Sequence, residues 1–327
     1  MLASEFRHHA DRIEEAIEAG AAASSALVAS WQRSSRVHHL DPAYHRQPQR
    51  IGDDALLSAR ERMGRMLHAA ASSLDRLYAS VGGMGCCVLL ADRDGVPLER
   101  RGAVCDDVAF RDWGLWPGYV WNEESEGTNG IGTCLFEQRC VTIHRDQHFF
   151  SRNTLLSCTT APIFDHEGRL AGALDVSSCR SDLNETVVNL ISNAVLDAAR
   201  LIEIENFRQS FSQARIVLLP SVEGGSNALV AIGRDEVIIG ATRAARRVLR
   251  GSGDLIGKPL LFDERGPALP RAGDAFDEAE RMVVERALAK SGGNVSSAAR
   301  QLGISRATMH RKLAKFGLER DGKAHTG

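Results

Sequence analysis

The chain has 327 residues, 43% of them hydrophobic and 25% charged, and a formal net charge of −2, which is typical of an ordinary globular protein with two or three domains. The charged start argues against a signal peptide, and no apolar run approaches the roughly 18 residues of a membrane span. The seven cysteines form no CxxC pair, which argues against a zinc knuckle or disulfide scaffold, so we expect a reduced, cytoplasmic protein with no membrane partner.

Residues 1–80 are predicted to form an N-terminal helical region. Two stretches carry apolar residues at helical spacing, and Leu67 and Leu74 lie on one face of the second stretch. The polar link between the stretches contains Pro42 and Pro48 and is predicted to be a loop.

Residues 81–180 are predicted to form a sensor domain with an antiparallel sheet flanked by helices. The segment "GCCVLLADRDGVPLERRG" predicts two strands joined by an Asp-Gly hairpin turn, and "RCVTIHRD", "LLSCTTAPIFD" and "RLAGALDVSS" predict further strands. Between them lies the irregular section "FRDWGLWPGYVWNEESEGTNGIGTCLF". This section is too long for a simple connecting loop, so we expect it to form or cover a cavity.

One long helix is predicted over residues 181–211. Val187, Ile191 and Ala198 share an apolar face of this helix, which predicts a connecting element that mediates dimerisation. Residues 212–265 then predict two short strands and a helix.

Residues 274–320 are predicted to form an all-α domain. Glycines at 292–293 end a first helix, Asn294 caps a second, and Gly303 ends the second. Ser305 caps a third helix that begins at Arg306. Two short helices joined by a glycine-containing turn form a helix-turn-helix.

The third helix of this domain is predicted to bind double-stranded DNA. Met309 and Leu313 lie on its apolar face, while Arg306 and Arg311 can reach guanine edges and Thr308 a thymine methyl group. Lys312, Lys315 and Arg300 are expected to contact DNA phosphates. The predicted DNA-binding residues are Asn294, Ser296, Arg300, Ser305, Arg306, Thr308, His310, Arg311, Lys312 and Lys315.

A small organic effector is the second predicted partner. Tryptophans and a tyrosine are crowded between Trp113 and Trp121, which suits either a pocket for a partly apolar ligand or an ordinary core. The segment "GTNGIGT" could cradle a phosphate, but a structural turn that leads into a helix is the favoured interpretation. The predicted effector-binding residues are Trp113, Trp116, Trp121, Asn129, Ile131, Thr133, His144, Phe149 and Cys158.

No metal, cofactor or catalytic site is predicted. His144 and His148 have the spacing of metal ligands on a helix, but they follow a predicted strand and no third ligand is placed beside them. Cys158 could be a redox sensor, although a small buried filler is favoured. The nucleophile motif G-x-S-x-G is absent, so we expect no enzyme.

Several motifs in order resemble the sensory half of the acetoin-catabolism regulator family of bacterial transcriptional activators. They include "SWQRS", "LLADRDG", "WGLWPGYVWNEESEGTNGIGT", "VTIHRDQHFF", "SCTTAPIFDHEGRLAGALDVSS" and "AARLIE". The resemblance implies a GAF-type sensor over 81–180, and residues 212–265 are similar to a partial PAS module. The segment "GNVSSAARQLGISRATMHRKL" resembles a Fis-type helix-turn-helix, which implies a homodimer that reads inverted half-sites about 34 Å apart.

The chain departs from that family's pattern at the ATPase domain. Such a domain needs the phosphate-binding motif G-x-x-x-x-G-K-[ST], and the nearest string here is "GSGDLIGKP". Without a motor, we expect effector binding to change the DNA-competent dimer or to present a surface to RNA polymerase, as an activator. Two alternatives stay open: a haem, iron or cysteine-based redox or gas sensor, and an enzyme or scaffold whose last helices only dimerise.

Overall fold

The computed structural model describes residues 2–44, 47–180, 184–220, 228–249, 255–263, 266–268 and 275–318. The chain divides into two compact units, one formed by residues 1–231 and 240–247 and the other by residues 232–239 and 248–327. An antiparallel sheet flanked by helices and an all-α C-terminal region are both present, so the predicted α+β fold class is confirmed.

Eight helices and five strands are described between residues 2 and 210. The helices are α1 (Leu2–Glu18), α2 (Ala26–Gln32), α3 (Asp53–Arg62), α4 (Gly64–Val81), α5 (Asp107–Asp112), α6 (Glu123–Glu126), α7 (Gly130–Glu137) and α8 (Glu185–Ser210). The strands are β1 (Cys86–Asp92), β2 (Pro97–Arg101), β3 (Val141–His144), β4 (Ser157–Phe164) and β5 (Leu170–Ser178).

The five strands form one antiparallel sheet in the order β2-β1-β5-β4-β3. The predicted hairpin joins β1 to β2, and Gly95 in its turn has a φ of 81°, which a glycine adopts without strain. Side chains of β1 alternate between the two faces. Val88 and Leu90 enter one apolar cluster, whereas Cys87 and Leu89 enter another, so both faces of the sheet are covered.

Helices α4 and α8 cover the first face of the sheet. Leu74 of α4 and Ile191, Val195 and Ile202 of α8 are buried there against β1, β4 and β5. The apolar face of α8, predicted to mediate dimerisation, is therefore largely used within this unit. Leu190 lies outside that contact and is 64% exposed.

The second face of the sheet is covered by α7 and by the segment that runs from α5 to Trp121. Phe110, Leu115, Trp121 and Ile131 pack there on Leu89. This apolar group, together with Cys158 and the rest of its cluster, is called the inner cluster below.

The N-terminal helices pack beside the sheet on a different group of residues. Ile13 of α1 and Trp31 of α2 are buried against Phe149 and Phe150, and the Trp31 indole N–H donates to the Gln147 carbonyl at 2.8 Å. A five-residue π-helical segment, Arg33–Val37, follows α2 directly.

The stretch predicted to be a partial PAS-like module, 212–265, contains β6 (Arg215–Leu218), β7 (Leu229–Ile232), β8 (Ile238–Ala241), α9 (Arg243–Val248) and β9 (Leu261–Asp263). Strands β6, β7 and β8 form a sheet in that order, and β9 pairs antiparallel with β10 (Gly266–Ala268). Residues 221–227, 250–254 and 264–265 of this stretch lie outside the described residues, and the PAS-like assignment stays a prediction.

The C-terminal helices are α10 (Ala275–Lys290), α11 (Val295–Gln301) and α12 (Arg306–Lys315). Val284 of α10, Ala298 of α11, and Met309 and Leu313 of α12 are buried together in one small core. No helix in the described part of the chain is long and apolar enough to cross a membrane.

Candidate DNA interface and candidate effector site

Local hydrogen bonds set the start of α11 and α12. The Asn294 side chain accepts from the Ser297 amide at 3.0 Å, and Ser305 Oγ accepts from the Thr308 amide at 3.1 Å. Gly303, with a φ of 66°, makes the turn between the two helices. Both predicted caps and the predicted break are therefore present, and they fix where the side chains of α12 point.

The two faces of α12 differ as the spacing predicts. Met309 and Leu313 are buried beneath the helix, whereas Arg311 is exposed on the opposite side, and Arg306 and His310 are exposed as well. Arg300 on α11 is exposed as well, while Ser296 and Thr308 are half-buried. The exposed guanidinium groups of α12 are those of Arg306 and Arg311. Exposed arginines on the second helix of a helix-turn-helix can contact base edges in the major groove of a duplex.

Two of the predicted phosphate contacts, Lys312 and Lys315, are engaged within the protein. Both lysines form ion pairs with Glu280 of α10, and Lys315 Nζ lies 3.3 Å from Glu280 Oε2. The hydrogen bond from Lys312 is the main cause that lowers the pKa of Glu280. The Glu280 carboxylate therefore binds the two ammonium groups that were predicted to contact DNA phosphates.

Four of the predicted effector residues come together at the inner cluster. Trp121, Ile131 and Cys158 are buried there, and Trp113 packs against the group half-buried. The Trp121 indole N–H donates to the Gly114 carbonyl at 2.7 Å, so its polar end is already satisfied.

Trp116 lies close to two guanidinium groups. Cζ of Arg100 is 4.5 Å from the Trp116 ring centre, and Cζ of Arg111 is 4.3 Å from it. Arg100 is thus a neighbour of the aromatic segment that the sequence reasoning missed. Its position as the fourth residue of β2 gave no local signal.

Asn129 and Thr133 perform structural tasks at the start of α7. The Asn129 side chain accepts from the Gly132 amide at 2.9 Å and donates to the Gly127 carbonyl at 2.8 Å. Thr133 Oγ1 donates to Glu123 Oε1 at 2.8 Å. These contacts agree with the predicted turn that leads into a helix.

Phe149 and His144 lie apart from the inner cluster. Phe149 is buried among side chains of α1 and α2, and His144 at the end of β3 contacts Ser157 Oγ at 2.8 Å. Within the described residues, no group of three or more His, Cys, Asp or Glu side chains is arranged to hold a metal ion. Burial also raises the pKa of Cys158, so this thiol holds little of the reactive thiolate.

A buried ion pair that the sequence reasoning missed connects the N-terminal helices to the segment before α7. Glu123 accepts from Arg33 Nε at 2.9 Å and Nη2 at 3.0 Å, and from Ser30 Oγ at 2.6 Å. The Glu123 side chain is only 4% exposed. No local pattern marks this pair, because its partners are about 90 residues apart in the sequence.

A chain of buried polar groups, also missed, crosses the second face of the sheet. Asp175 accepts from Thr160 Oγ1 at 2.5 Å and from Ser177 Oγ at 2.6 Å, and Ser177 Oγ lies 3.1 Å from Cys158 Sγ. Cys158 Sγ is 3.4 Å from His148 Nε2. Burial raises the pKa of Asp175 to about 6 and lowers the pKa of His148 to about 4.

Two protein families match the chain. Residues 9–199 match the family described as "MimR, N-terminal domain", a stretch that covers more than half of the chain. The chain belongs to the MimR N-terminal domain family. Residues 275–316, which span α10 to α12, match "Bacterial regulatory protein, Fis family", so the predicted Fis-type domain is confirmed.

The relatives of this chain carry the names of regulators rather than of enzymes. The acetoin catabolism regulatory protein of Cupriavidus necator is 31% identical over 278 residues, which are 81% of this chain and 41% of that protein. The propane 2-monooxygenase operon transcriptional activator MimR of Mycolicibacterium smegmatis is 29% identical over 257 residues, 74% of this chain and 39% of that protein. The chain therefore spans about two fifths of the length of these relatives. The predicted resemblance to acetoin-catabolism regulators is confirmed.

A solved structure shares the fold of this family member. The crystal structure of the E. coli DhaR(N)-DhaL complex contains a chain that matches it with a TM-score of 0.51 at 16% identity, covering 73% of this chain and 82% of that chain. At this identity the likeness shows a shared fold.

Proposed function

We propose that the chain is an effector-responsive transcriptional regulator that binds DNA through α12 and senses a small organic molecule in its N-terminal domain. The observation that carries the proposal is that Arg306 and Arg311 are exposed on a helix whose Met309 and Leu313 are buried, in a domain of the Fis family. The match of residues 9–199 to the MimR N-terminal domain family supports the sensor half. The names of the relatives support activation of a catabolic operon.

Control in this proposal needs no ATPase. Only residues 200–274 lie between the two family matches, and the sequence has no G-x-x-x-x-G-K-[ST] motif. An effector can then act only through its different affinity for the DNA-competent and DNA-incompetent states of a homodimer, or through a surface offered to RNA polymerase. A coupling of about 1–3 kcal/mol changes DNA affinity by about 5- to 150-fold.

A ligand panel with two readouts tests the proposal. The purified chain is screened by thermal shift against ketones, alcohols, diols and organic acids, and each stabilising compound is added to a DNA-binding titration. A ligand that binds the native state raises the melting temperature. We expect at least one stabilising compound to change DNA affinity fivefold or more, whereas stabilisation without any change in DNA affinity contradicts the coupling.

Replacing Glu280 with glutamine is expected to strengthen non-specific DNA binding. The substitution removes the carboxylate that competes with phosphates for Lys312 and Lys315. One or two added phosphate contacts steepen the slope of log affinity against log salt by about 1–2. Fluorescence anisotropy with a random duplex between 50 and 200 mM salt measures this slope. Glu285→Gln is the matched control, since Glu285 lies on the same helix and pairs with Arg281; equal slopes for the two variants would disprove the competition.

Replacing Asp175 with asparagine is expected to change how stability depends on pH. The folded-state pKa of Asp175, about 6, lies above its ordinary value of 3.8, so the stability it contributes is full below pH 3.8 and is lost as pH rises through 6. His148 acts in the opposite direction, because its folded-state pKa of about 4 lies below 6.5, so stability is lost as pH falls. In the wild type, the opposite pH dependences of Asp175 and His148 therefore partly cancel between about pH 4 and pH 6.

The Asp175→Asn variant removes only the first contribution. Relative to wild type, its free energy of unfolding should fall by about 3 kcal/mol between pH 7 and pH 4, since about two pH units correspond to this energy. Urea denaturation at the two pH values measures the difference. Asp94→Asn, an exposed aspartate in the β1–β2 turn, is the matched control. Parallel pH profiles for wild type and Asp175→Asn would refute the assignment.

A further inference from the structure

Arg100 carries hydrogen-bond donors that the protein leaves unused. Its side chain is only 9% exposed, and Nη1 donates to Asp107 Oδ1 at 2.7 Å. Nε and Nη2 are buried, and within the described part of the chain neither atom has a hydrogen-bond partner. A guanidinium cannot lose its proton in a protein, so this charge and its two donors persist in the interior.

The two unused donors lie on the same edge of the guanidinium. Nε–H and the adjacent Nη2–H point in parallel, which matches the spacing of the two oxygens of a carboxylate. Arg33 shows this geometry in the same chain, because its Nε and Nη2 bind the two carboxylate oxygens of Glu123 at 2.9 and 3.0 Å. Arg100 presents the same edge without a carboxylate.

The surroundings of Arg100 belong to the candidate sensor. Arg100 pairs with Leu89 across β1 and β2, so its side chain starts on the same face of the sheet as the inner cluster. Cζ of Arg100 lies 4.5 Å from the ring centre of Trp116 and 5.3 Å from that of Phe110. The guanidinium group therefore lies close to aromatic side chains that suit an apolar ligand body.

The approach to this edge is shaped by Gly102 and by the segment that follows. A Cβ atom on Gly102 would lie 2.3 Å from Nη2 and 2.6 Å from Cζ, so a larger residue there would displace the guanidinium. Phe110 and Trp116 belong to the segment between β2 and α6, outside the sheet.

We propose that the Nε–Nη2 edge of Arg100 binds the carboxylate of a small organic acid whose apolar or aromatic part lies against Phe110 and Trp116. The proposal deepens the proposed function, on which it rests, by naming the chemical class of the effector. A carboxylate binds the two donors with separate oxygens and neutralises the charge, whereas a neutral carbonyl, such as the Leu98 carbonyl that accepts from both Nε and Nη2 of Arg60, leaves the charge uncompensated.

The experiment uses the full chain and two matched pairs of probes: benzoate with benzyl alcohol, and phenylacetate with 2-phenylethanol. Thermal shift is recorded for wild type, Arg100→Met and Arg111→Met, the last being an exposed arginine that also stacks on Trp116. We expect the acids to raise the melting temperature of wild type and Arg111→Met, on the order of 5 °C at a hundredfold excess over Kd. The alcohols should have no such effect, and Arg100→Met should lose the response to the acids.

Ligand-free stability supplies a second readout. Asp107→Asn breaks the ion pair between Arg100 and Asp107 but keeps the two unused donors, so it is the reference for this readout. If these donors await a ligand, Arg100→Met melts at or above Asp107→Asn, because unpaired buried donors are removed. A lower melting temperature for Arg100→Met than for Asp107→Asn makes the free edge of Arg100 structural and overturns the proposal. It is also overturned if neither acid stabilises the wild type, or if acids and alcohols stabilise wild type and Arg100→Met alike.

Parallel DNA titrations separate this proposal from the function on which it rests. Acids that bind through Arg100 but leave DNA affinity unchanged support the site and contradict the coupled regulator. A neutral compound that changes DNA affinity equally in wild type and Arg100→Met supports the regulator and overturns the carboxylate site.

Discussion

The Glu123→Gln variant is expected to lose about 3 kcal/mol of unfolding free energy in the sheet-containing unit. Glu123 is buried and receives hydrogen bonds from Arg33, Ser30 and Thr133. Its neutralisation leaves the Arg33 guanidinium, whose side chain is 18% exposed, beside an uncharged amide. The remaining pair between Arg33 and Glu137 at 3.3 Å keeps the loss at the lower end of the range for broken buried pairs.

Urea denaturation of wild type and variant at pH 7 measures this loss. Glu124→Gln is the matched control, because Glu124 is the next residue on α6 and its side chain is exposed. The midpoint of Glu123→Gln should fall well below that of the control. Equal midpoints would show that the ion pair with Arg33 contributes nothing to the connection between α2 and the segment before α7.

Substitution of Arg306 or Arg311 by alanine is expected to weaken specific DNA binding by about 1–3 kcal/mol each, or roughly 5- to 150-fold. Both side chains are exposed on α12: Arg311 lies on the side opposite Met309 and Leu313, and Arg306 is the first residue of the helix. Contacts to base edges also make the loss depend on sequence, so binding to random duplexes should weaken less.

Anisotropy titrations with a selected specific duplex and a random duplex measure both quantities. Arg281→Ala removes the same charge from the exposed surface of α10 and serves as the control. If Arg311→Ala weakens the two duplexes equally, Arg311 contacts phosphates; if it behaves like Arg281→Ala, the recognition face is assigned wrongly.

Short-range features of this protein could be predicted from its sequence. Asn294 and Ser305 cap their helices through amides three residues on, and the faces of α12 follow from a period of 3.6 residues. The strand pattern and the Asp-Gly turn similarly predicted the β1–β2 hairpin. These features depend on residues close together in the chain, where side-chain chemistry and spacing determine the outcome.

Features that depend on distant pairing could not be predicted. Arg33 and Glu123 are 90 residues apart, and Glu280 meets Lys312 at a separation of 32. The apolar face of α8 was visible in the sequence, but periodicity does not say whether such a face meets a second copy or the chain's own sheet. The structure packs Ile191 and Val195 on the sheet, and the homodimer stays a prediction.

The candidate effector site also contains some features that could be predicted from the sequence and others that could not. The aromatic segment was recognisable from its composition, and Trp113, Trp121, Ile131 and Cys158 do lie together. Phe149 instead packs on α1 and α2, because a nearby sequence position does not imply the same face of the fold. Arg100 was missed, since its unpaired donors become visible only when its neighbours in space are known.

Selection of bound sequences from a random duplex library by the full chain tests the central claim, that α12 reads DNA, most directly. We predict an enriched inverted repeat with half-sites about 10 base pairs apart centre to centre, and loss of that enrichment in the Arg306→Ala/Arg311→Ala double variant. A chain that enriches no sequence, or a double variant that enriches the same sequence as wild type, would contradict it.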